Sequence, residues 1–276
     1  MYLLSLTLPA LVVISCATGA SAQTYTTTFE DGFDGWQGSN GTFMATDLGT
    51  GNRHLRTVDE TFGVWYRTNQ NDAFLGDYTG HDSVTLSMDI RVDLLNSQNL
   101  PDGLVPYTRP LTLELRNYDY NDGFFNYASV YFVISREINE QNQDDWTTFS
   151  VSFDPTSTTL PDGWGGYGGS DDADGPVLPD GVTFADILAN VDEVVWSTFD
   201  PEEFYLFAFF DVLVDNFTIT RGAACPADLN GDGLLDFFDL SAFINAFAAM
   251  KPDADFNDDG LYDFFDVSGF LNQFAA

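Results

Sequence analysis

The chain has 276 residues, with 43 acidic side chains against nine basic ones and a formal net charge of -34 at pH 7. Such a field repels phosphate backbones and anionic headgroups and draws in cations. Lys251 is the single lysine and the eight arginines are scattered, so no basic patch overrides the field, and nucleic acid and membrane surfaces are excluded as partners. Aromatic residues make up 16% of the chain, while helix-favouring Lys, Glu and Ala runs are scarce before residue 222, a balance that favours strands.

Residues 1–22, "MYLLSLTLPALVVISCATGASA", hold an apolar run from Leu3 to Ile14 and end in the small residues Ala20-Ser21-Ala22, the pattern of an export signal with Gln23 as the first mature residue. A rival reading takes "VISC" as a lipobox with Cys16 lipidated. If Cys16 leaves with the leader, Cys225 is a lone cysteine, which points to an intermolecular partner or one beyond Ala276. No other segment approaches the roughly 20 apolar residues of a membrane span, so membrane insertion is not expected.

From residue 23 to residue 221 short alternating or apolar runs are punctuated by Gly, Asn and Asp. The runs are "YTTTF", "RHLRTV", "TFGVWYR", "VTLSMDIRV", "LTLELRN", "YASVYFVI", "TTFSVSF", "VDEVVWSTF" and "DVLVDNFTIT". Alternation is clearest in "VTLSMDIRV", where Val84, Leu86, Met88, Ile90 and Val92 share one face. Many such half-buried strands spaced by turns imply a mainly β chain built as an antiparallel β-sandwich, two sheets packed face to face. A short helix is expected at "TFADILAN", capped by Thr183. Residues 160–181, rich in Gly, Pro and Asp, read as a long loop.

This region shows no nucleophile or zinc motif. Its two histidines, His54 and His81, read as surface or turn residues. A carboxylate pair, or Tyr residues of "YASVYFVI" beside Arg116 or Arg136, leaves hydrolase or lyase chemistry open. For sugar binding, Trp164 and Tyr167 in the Gly-rich loop are the candidate stacking residues. Trp36, Trp65, Trp146 and Trp196 lie in strand-like contexts and read as core. Residues 63–92, with "FADILANVDEVVWSTF" and "VLVDNFTI", resemble the laminin IV type A (laminin B) domain, and that resemblance implies a jelly-roll sandwich with no catalytic motif to transfer.

Residues 222–227 form a linker, after which "DLNGDGLLDFFD" (228–239) and "DFNDDGLYDFFD" (255–266) repeat one oxygen-rich dodecapeptide. A hard cation such as Ca²⁺ takes six to eight oxygens at roughly 2.3–2.6 Å, and a tight loop supplies them when donors recur at every second position. Asp228, Asn230, Asp232, the Leu234 carbonyl, Asp236 and Asp239 occupy the ligand positions of the first copy. Asp255, Asn257, Asp259, the Leu261 carbonyl, Asp263 and Asp266 occupy those of the second, with Asp in place of the common Glu at position 12. Residues 170–181 show what chance yields: Asp172, Asp174 and Gly175 match, while Ser170, Leu178 and Gly181 do not. Downstream, Leu240, Phe243, Ile244, Phe247 and Ala248, and the same positions 27 residues on, lie on one helix face.

Two such loops, each followed by one helix, resemble the type I dockerin domain over residues 225–276. The resemblance implies a small all-α module of residues 228–276, two Ca²⁺ ions at the positions named, and docking onto a cohesin-like or other surface protein. It also implies that loop positions 10 and 11, here Phe237, Phe238, Phe264 and Phe265, choose the partner, although cellulosomal members often carry small hydroxyl residues there. Helical phase puts Phe237 on the buried stripe and leaves Phe238 and Phe265 as the better docking residues. The chain therefore reads as a secreted or cell-surface, non-catalytic modular protein, in which a calcium-dependent dockerin anchors a glycan- or matrix-binding sandwich, with extracellular polysaccharide as a second partner. A polysaccharide hydrolase or lyase on the same anchor, and a structural surface component, stay open as alternatives.

Overall fold

The computed structural model describes residues 22–99, 103–120, 126–169, 176–222, 227, 229, 237–257 and 259–274. The chain divides into two compact units between Gly222 and Ala223.

The first unit is an antiparallel β-sandwich of thirteen strands among the described residues, as strand alternation predicts: β1 (Gln23–Thr27), β2 (Trp36–Gly38), β3 (Thr42–Thr46), β4 (Arg53–Thr61), β5 (Trp65–Thr68), β6 (Ser83–Asn99), β7 (Gly103–Pro106), β8 (Arg109–Asn117), β9 (Ala128–Ile138), β10 (Thr147–Phe153), β11 (Trp164–Tyr167), β12 (Glu193–Ser197) and β13 (Ala208–Gly222). One sheet has the order β10-β6-β13-β4-β3, with β1 added to β13 and β7 to β6. The other runs β11-β9-β8-β12-β5-β2. Val84, Leu86, Met88, Ile90 and Val92 of β6 are all buried, facing Leu111, Leu113 and Leu115 of β8 in one continuous core. Trp36 and Trp196 lie inside it, with Trp36 packed against Phe74 and Phe217. The short helix α1 (Phe184–Leu188) carries a full capping box, in which Thr183 and Asp186 satisfy each other's backbone N–H groups.

Three expectations change. Residues 160–181 are not wholly loop, because Trp164–Tyr167 pair with β9. "TFGVWYR" is not one strand. It breaks before β5 at Gly63, where the Phe199 ring comes within 2.7 Å of the place a Cβ would occupy. His54 is buried rather than superficial, its ring edge-on to Trp146 at 5.6 Å, and burial pushes its pKa down.

The second unit holds α2 (Phe237–Ala248), a 3₁₀ turn (Pro252–Ala254) and α3 (Phe264–Phe274). Its core is small: Phe243 and Phe270 stack at 4.1 Å with planes 7° apart, and Phe256, Ala246, Ala254 and Ala227 close around them. Asp239 and Asp266 are buried on the same helix faces. Ile244, Ala248 and Leu271, expected on the buried stripe, are exposed.

In the sandwich, a bulge in β13 puts Asn216 at φ 51° and buries Asp215, which accepts a hydrogen bond from Asn52 Nδ2 at 2.8 Å. Burial pushes the Asp215 carboxyl up to about 6, with Asp89 and Glu30 adding to the shift and Asn52 and the Asn216 N–H opposing it. The folded protein then holds this proton more tightly than the unfolded chain does, so the stability Asp215 contributes falls as pH rises from about 4 through about 6. Asp215→Asn is expected to raise unfolding free energy by about 2 kcal/mol at pH 7 and to lose most of that gain at pH 4, as read by urea unfolding at the two pH values.

Candidate functional site: a cleft on the six-stranded sheet

Alternation along β8 sends Leu111, Leu113 and Leu115 into the core and Thr112, Glu114 and Arg116 to the other face of the sheet. Register carries that face across the strands. Ser197, Val195 and Glu193 of β12 lie opposite Thr112, Glu114 and Arg116, and Trp65 and Arg67 of β5 lie opposite Ser197 and Val195. On the far side Tyr131 and Ser129 of β9 pair with Glu114 and Arg116, and Tyr167 of β11 pairs with Ser129.

A cleft of about 290 Å³ opens on this face, with Trp65, Val195, Phe199 and Pro201 as its apolar surfaces and Thr112, Ser197, Arg67, Glu114 and Arg116 as its polar ones. The segment after β12 forms a wall and is tied down by side chains of the sheet. Arg136 pairs with Asp200, Tyr131 donates to Glu202 at 3.1 Å, and Arg109 donates to the Leu206 carbonyl. Arg109 is fully buried between the rings of Tyr107, Tyr205 and Phe210, and burial lowers its pKa.

Beneath the cleft lies a closed charge network. Glu193, only 1% exposed, accepts from Arg116 at 2.7 Å and from the Tyr118 hydroxyl at 2.9 Å, and stands 3.4 Å from Arg67. Arg116 also pairs with Glu114 at 2.6 Å, and Ser129 donates to the second oxygen of that carboxylate. Burial alone would lower the Arg116 pKa, but Glu114 and Glu193 outweigh it and the value is raised. Burial, followed by the charge of Glu193, pushes the Tyr118 phenol up to about 12. Arg67 lies over the Trp65 ring at 4.5 Å, and Arg116 over Tyr127 at 4.5 Å. The Thr112 hydroxyl and Arg116 Nε are buried without a hydrogen-bond partner among the described residues.

The two tryptophan expectations are thus exchanged. Trp164, read as an exposed stacking residue, is 9% exposed and packs against Phe132, Phe153 and Phe184 in the core. Trp65, read as core, borders the cleft. Tyr167 does reach the outer face and lies 5.5 Å from Tyr127, beyond the residues that line the cleft.

Of the repeated loops, Asp228, Asn230, Asp232, Leu234 and Asp236, like Cys225, lie outside the described residues, and Asp239 is buried at the start of α2. The second loop is described almost whole. Gly260, at φ 77°, makes its sharp turn. Asp255 accepts from the N–H groups of Asp259 (3.1 Å) and Gly260 (2.9 Å), Asn257 from Asp259 (3.1 Å), Asp259 from Leu261 (2.8 Å) and Asp263 from Phe265 (2.8 Å). Asp266 closes the loop by accepting from Phe256 (2.9 Å) and Asp263 (2.8 Å). Its donors are all oxygens and its turn is glycine-made, a chemistry that fits a hard cation. Among the described residues no group of three or more His, Cys, Asp or Glu side chains converges as a metal cluster. Phe237, Phe238, Phe264 and Phe265 are all between 65 and 75% exposed, so Phe237 is not the core residue expected.

No protein-family model matches the chain, and no curated protein does. Among solved structures it is similar to the N-terminal CBM22-1–GH10 modules of endo-1,4-β-D-xylanase 10B of Clostridium thermocellum complexed with xylohexaose, with a TM-score of 0.39, 15% identity, and 73% of this chain but 29% of that one covered. It is also similar to the family 11 carbohydrate-binding module from Clostridium thermocellum in complex with a β-1,3-1,4-mixed-linked tetrasaccharide (0.37, 14% identity, 76% and 95% covered). A third is the family 30 carbohydrate-binding module of a cellulosomal cellulase of the same organism (0.34, 14% identity, 76% and 98% covered). At these TM-scores no ligand is transferred from them.

The charge network makes an asymmetric demand on its two arginines. Arg116→Met leaves the buried Glu193 without its main partner and is expected to cost about 3 kcal/mol in urea unfolding. Arg67→Met removes a longer, more exposed pairing and is expected to cost less than about 1 kcal/mol.

Proposed function

We propose that the protein is a secreted, non-catalytic modular protein whose sandwich binds extracellular polysaccharide in the cleft of the six-stranded sheet, and whose C-terminal unit anchors it to a cohesin-like or other surface partner in a calcium-dependent manner. The observation that carries the glycan reading is the cleft itself: an indole beside guanidinium, carboxylate and hydroxyl groups on one sheet face. Sugars offer an apolar ring face and a rim of hydroxyls, and a binding surface matches both when an aromatic side chain stands next to polar groups held in place. The pairing of Arg116 with both Glu114 and Glu193 holds these groups in position before a ligand arrives. Among the described residues no helix is long and apolar enough to cross a membrane.

The anchor reading rests on the twice-written loop and its buried terminal carboxylate. Asp266 is enclosed with two backbone N–H groups as hydrogen-bond donors, and a buried anion of that kind is stabilised by a cation. Asp255, Asn257, Asp259, the Leu261 carbonyl, Asp263 and Asp266 would hold one Ca²⁺, and their counterparts from Asp228 to Asp239 a second. The ion would neutralise the crowded carboxylates and couple its binding to the folding of the unit. The exposed phenylalanine pairs at the head of each helix supply the apolar surface a docking partner would cover.

Two measurements test the two halves separately. Trp65→Ala is expected to abolish retention on polysaccharides that retard the wild-type chain in native affinity gels, while Trp164→Ala is expected to destabilise the fold by roughly 3–5 kcal/mol. Retention that survives Trp65→Ala, or release of reducing ends or unsaturated products, would overturn the binding reading. Titration of the chelator-treated full-length chain with Ca²⁺ is expected to give heat at a stoichiometry of about two, one ion per loop, and Asp255→Ala to remove one of them. A flat trace would refute the anchor.

A further inference from the structure

At the cleft two guanidiniums are matched by two carboxylates, in a molecule whose formal charge is -34. Two guanidiniums, Arg67 and Arg116, face two carboxylates, Glu114 and Glu193, at 2.6, 2.7 and 3.4 Å, and each of the four has an oppositely charged partner within that set. Arg67, Arg116 and Glu114 line the cleft with Glu193 beneath them, and the rest of the lining is uncharged: Trp65, Thr112, Val195, Ser197, Phe199 and Pro201.

From this balance we infer that the cleft selects a short stretch of an uncharged polysaccharide and rejects chains bearing uronate or sulfate groups. The inference rests on the glycan reading above and names the class of ligand within it. An anionic substituent entering the cleft would have to compete with Glu114 and Glu193 for guanidiniums already engaged, and would leave a displaced carboxylate in a partly buried setting, a costly exchange. Glu114, the carboxylate of the lining, can only accept hydrogen bonds when ionised, so a ligand oxygen beside it must donate one. A sugar hydroxyl both donates and accepts, whereas carboxylate and sulfate oxygens only accept. The Thr112 hydroxyl, which can donate and accept, and Arg116 Nε, which can only donate, are buried there without a partner among the described residues. Beyond the cleft, the acidic chain as a whole repels polyanions at long range. The volume of about 290 Å³ sits near the lower bound of small-ligand pockets, roughly 300–1,000 Å³, which suits a short segment of a chain.

The test compares the full-length protein on neutral chains (arabinoxylan, mixed-linkage β-glucan, galactomannan) and anionic ones (alginate, polygalacturonate, carrageenan) by calorimetry, in dilute buffer and in about 0.5 M NaCl. At the higher salt the Debye length shrinks to roughly 4 Å, so long-range repulsion is removed and only the selectivity of the cleft remains. Binding is expected on at least one neutral chain with less than threefold change between the salts, and on no anionic chain at either. An anionic chain that binds in 0.5 M NaCl as tightly as the best neutral one, and loses that binding in Trp65→Ala, would overturn the selectivity while leaving a glycan-binding cleft in place. Binding to none of the six would overturn the glycan reading and the inference with it.

Discussion

A carboxylate is buried on the cleft-bearing face of the six-stranded sheet, and much of that face is arranged around it. Glu193 belongs to β12, an interior strand, and its side chain is almost wholly removed from water. An ionised group in that position is tolerable only when donors surround it. They come from three places: Arg116 on β8, Tyr118 just past the end of β8, and Arg67 on β5. One buried anion therefore fixes side chains on the strands to either side of its own. The aromatic surfaces follow, since Arg67 lies over Trp65 and Arg116 lies over Tyr127. The apolar and polar halves of the cleft are coupled through these two guanidiniums.

Long strands were legible in the sequence because one of their faces is uniformly apolar, as in β6, and the antiparallel sandwich follows from them. Of the seven strands of three to five residues, β2, β3, β7 and β11 offer too few alternations to stand out from loops, whereas β1, β5 and β12 lie in longer β-branched or aromatic runs. The exchange of Trp65 and Trp164 has the same root. In "WGGY" the two aromatics are three positions apart, so in an extended chain they must face opposite sides, and only Tyr167 can share a surface with Arg116. In "WYRT" Trp65 and Arg67 are two apart and must share a side, and an arginine argues that this side is not the core. Both signals were present, but the first was hidden by a glycine-rich composition that reads as loop.

In the C-terminal unit a single rotation accounts for every misplaced residue. Apolar spacing alone centres the buried face of α2 on Leu240, Phe243, Ile244 and Phe247. The observed face is centred on Asp239, Phe243 and Ala246, which, against the expected stripe with Ala248 included, is a turn of roughly 100° at 100° per residue. Asp239 and Asp266, each the last residue of a repeated dodecapeptide, are buried beside the apolar residues, so the inner face of each helix carries a carboxylate as well as core residues. Turning the helix inward at these carboxylates turns Phe237 and Ile244 outward on α2, and Phe264 and Leu271 outward on α3. A pattern count that scores only hydrophobic residues does not register a carboxylate that belongs inside.

The same arrangement bears on how this unit is stabilised. Full burial of a phenylalanine contributes about 1.5–3 kcal/mol, and the described core holds two such rings, Phe243 and Phe270, with alanines and partly buried aromatics around them. Two carboxylates are buried against it, and the effective penalty for an ion out of water is several kcal/mol each before compensation. Backbone N–H groups offset part of that penalty at Asp266, through its bonds from Phe256 and Asp263. The apolar gain and the electrostatic cost at the described core are thus of the same order. Around the described core, the two carboxylates buried at the ends of the loops therefore bear on the stability of the unit together with its apolar residues.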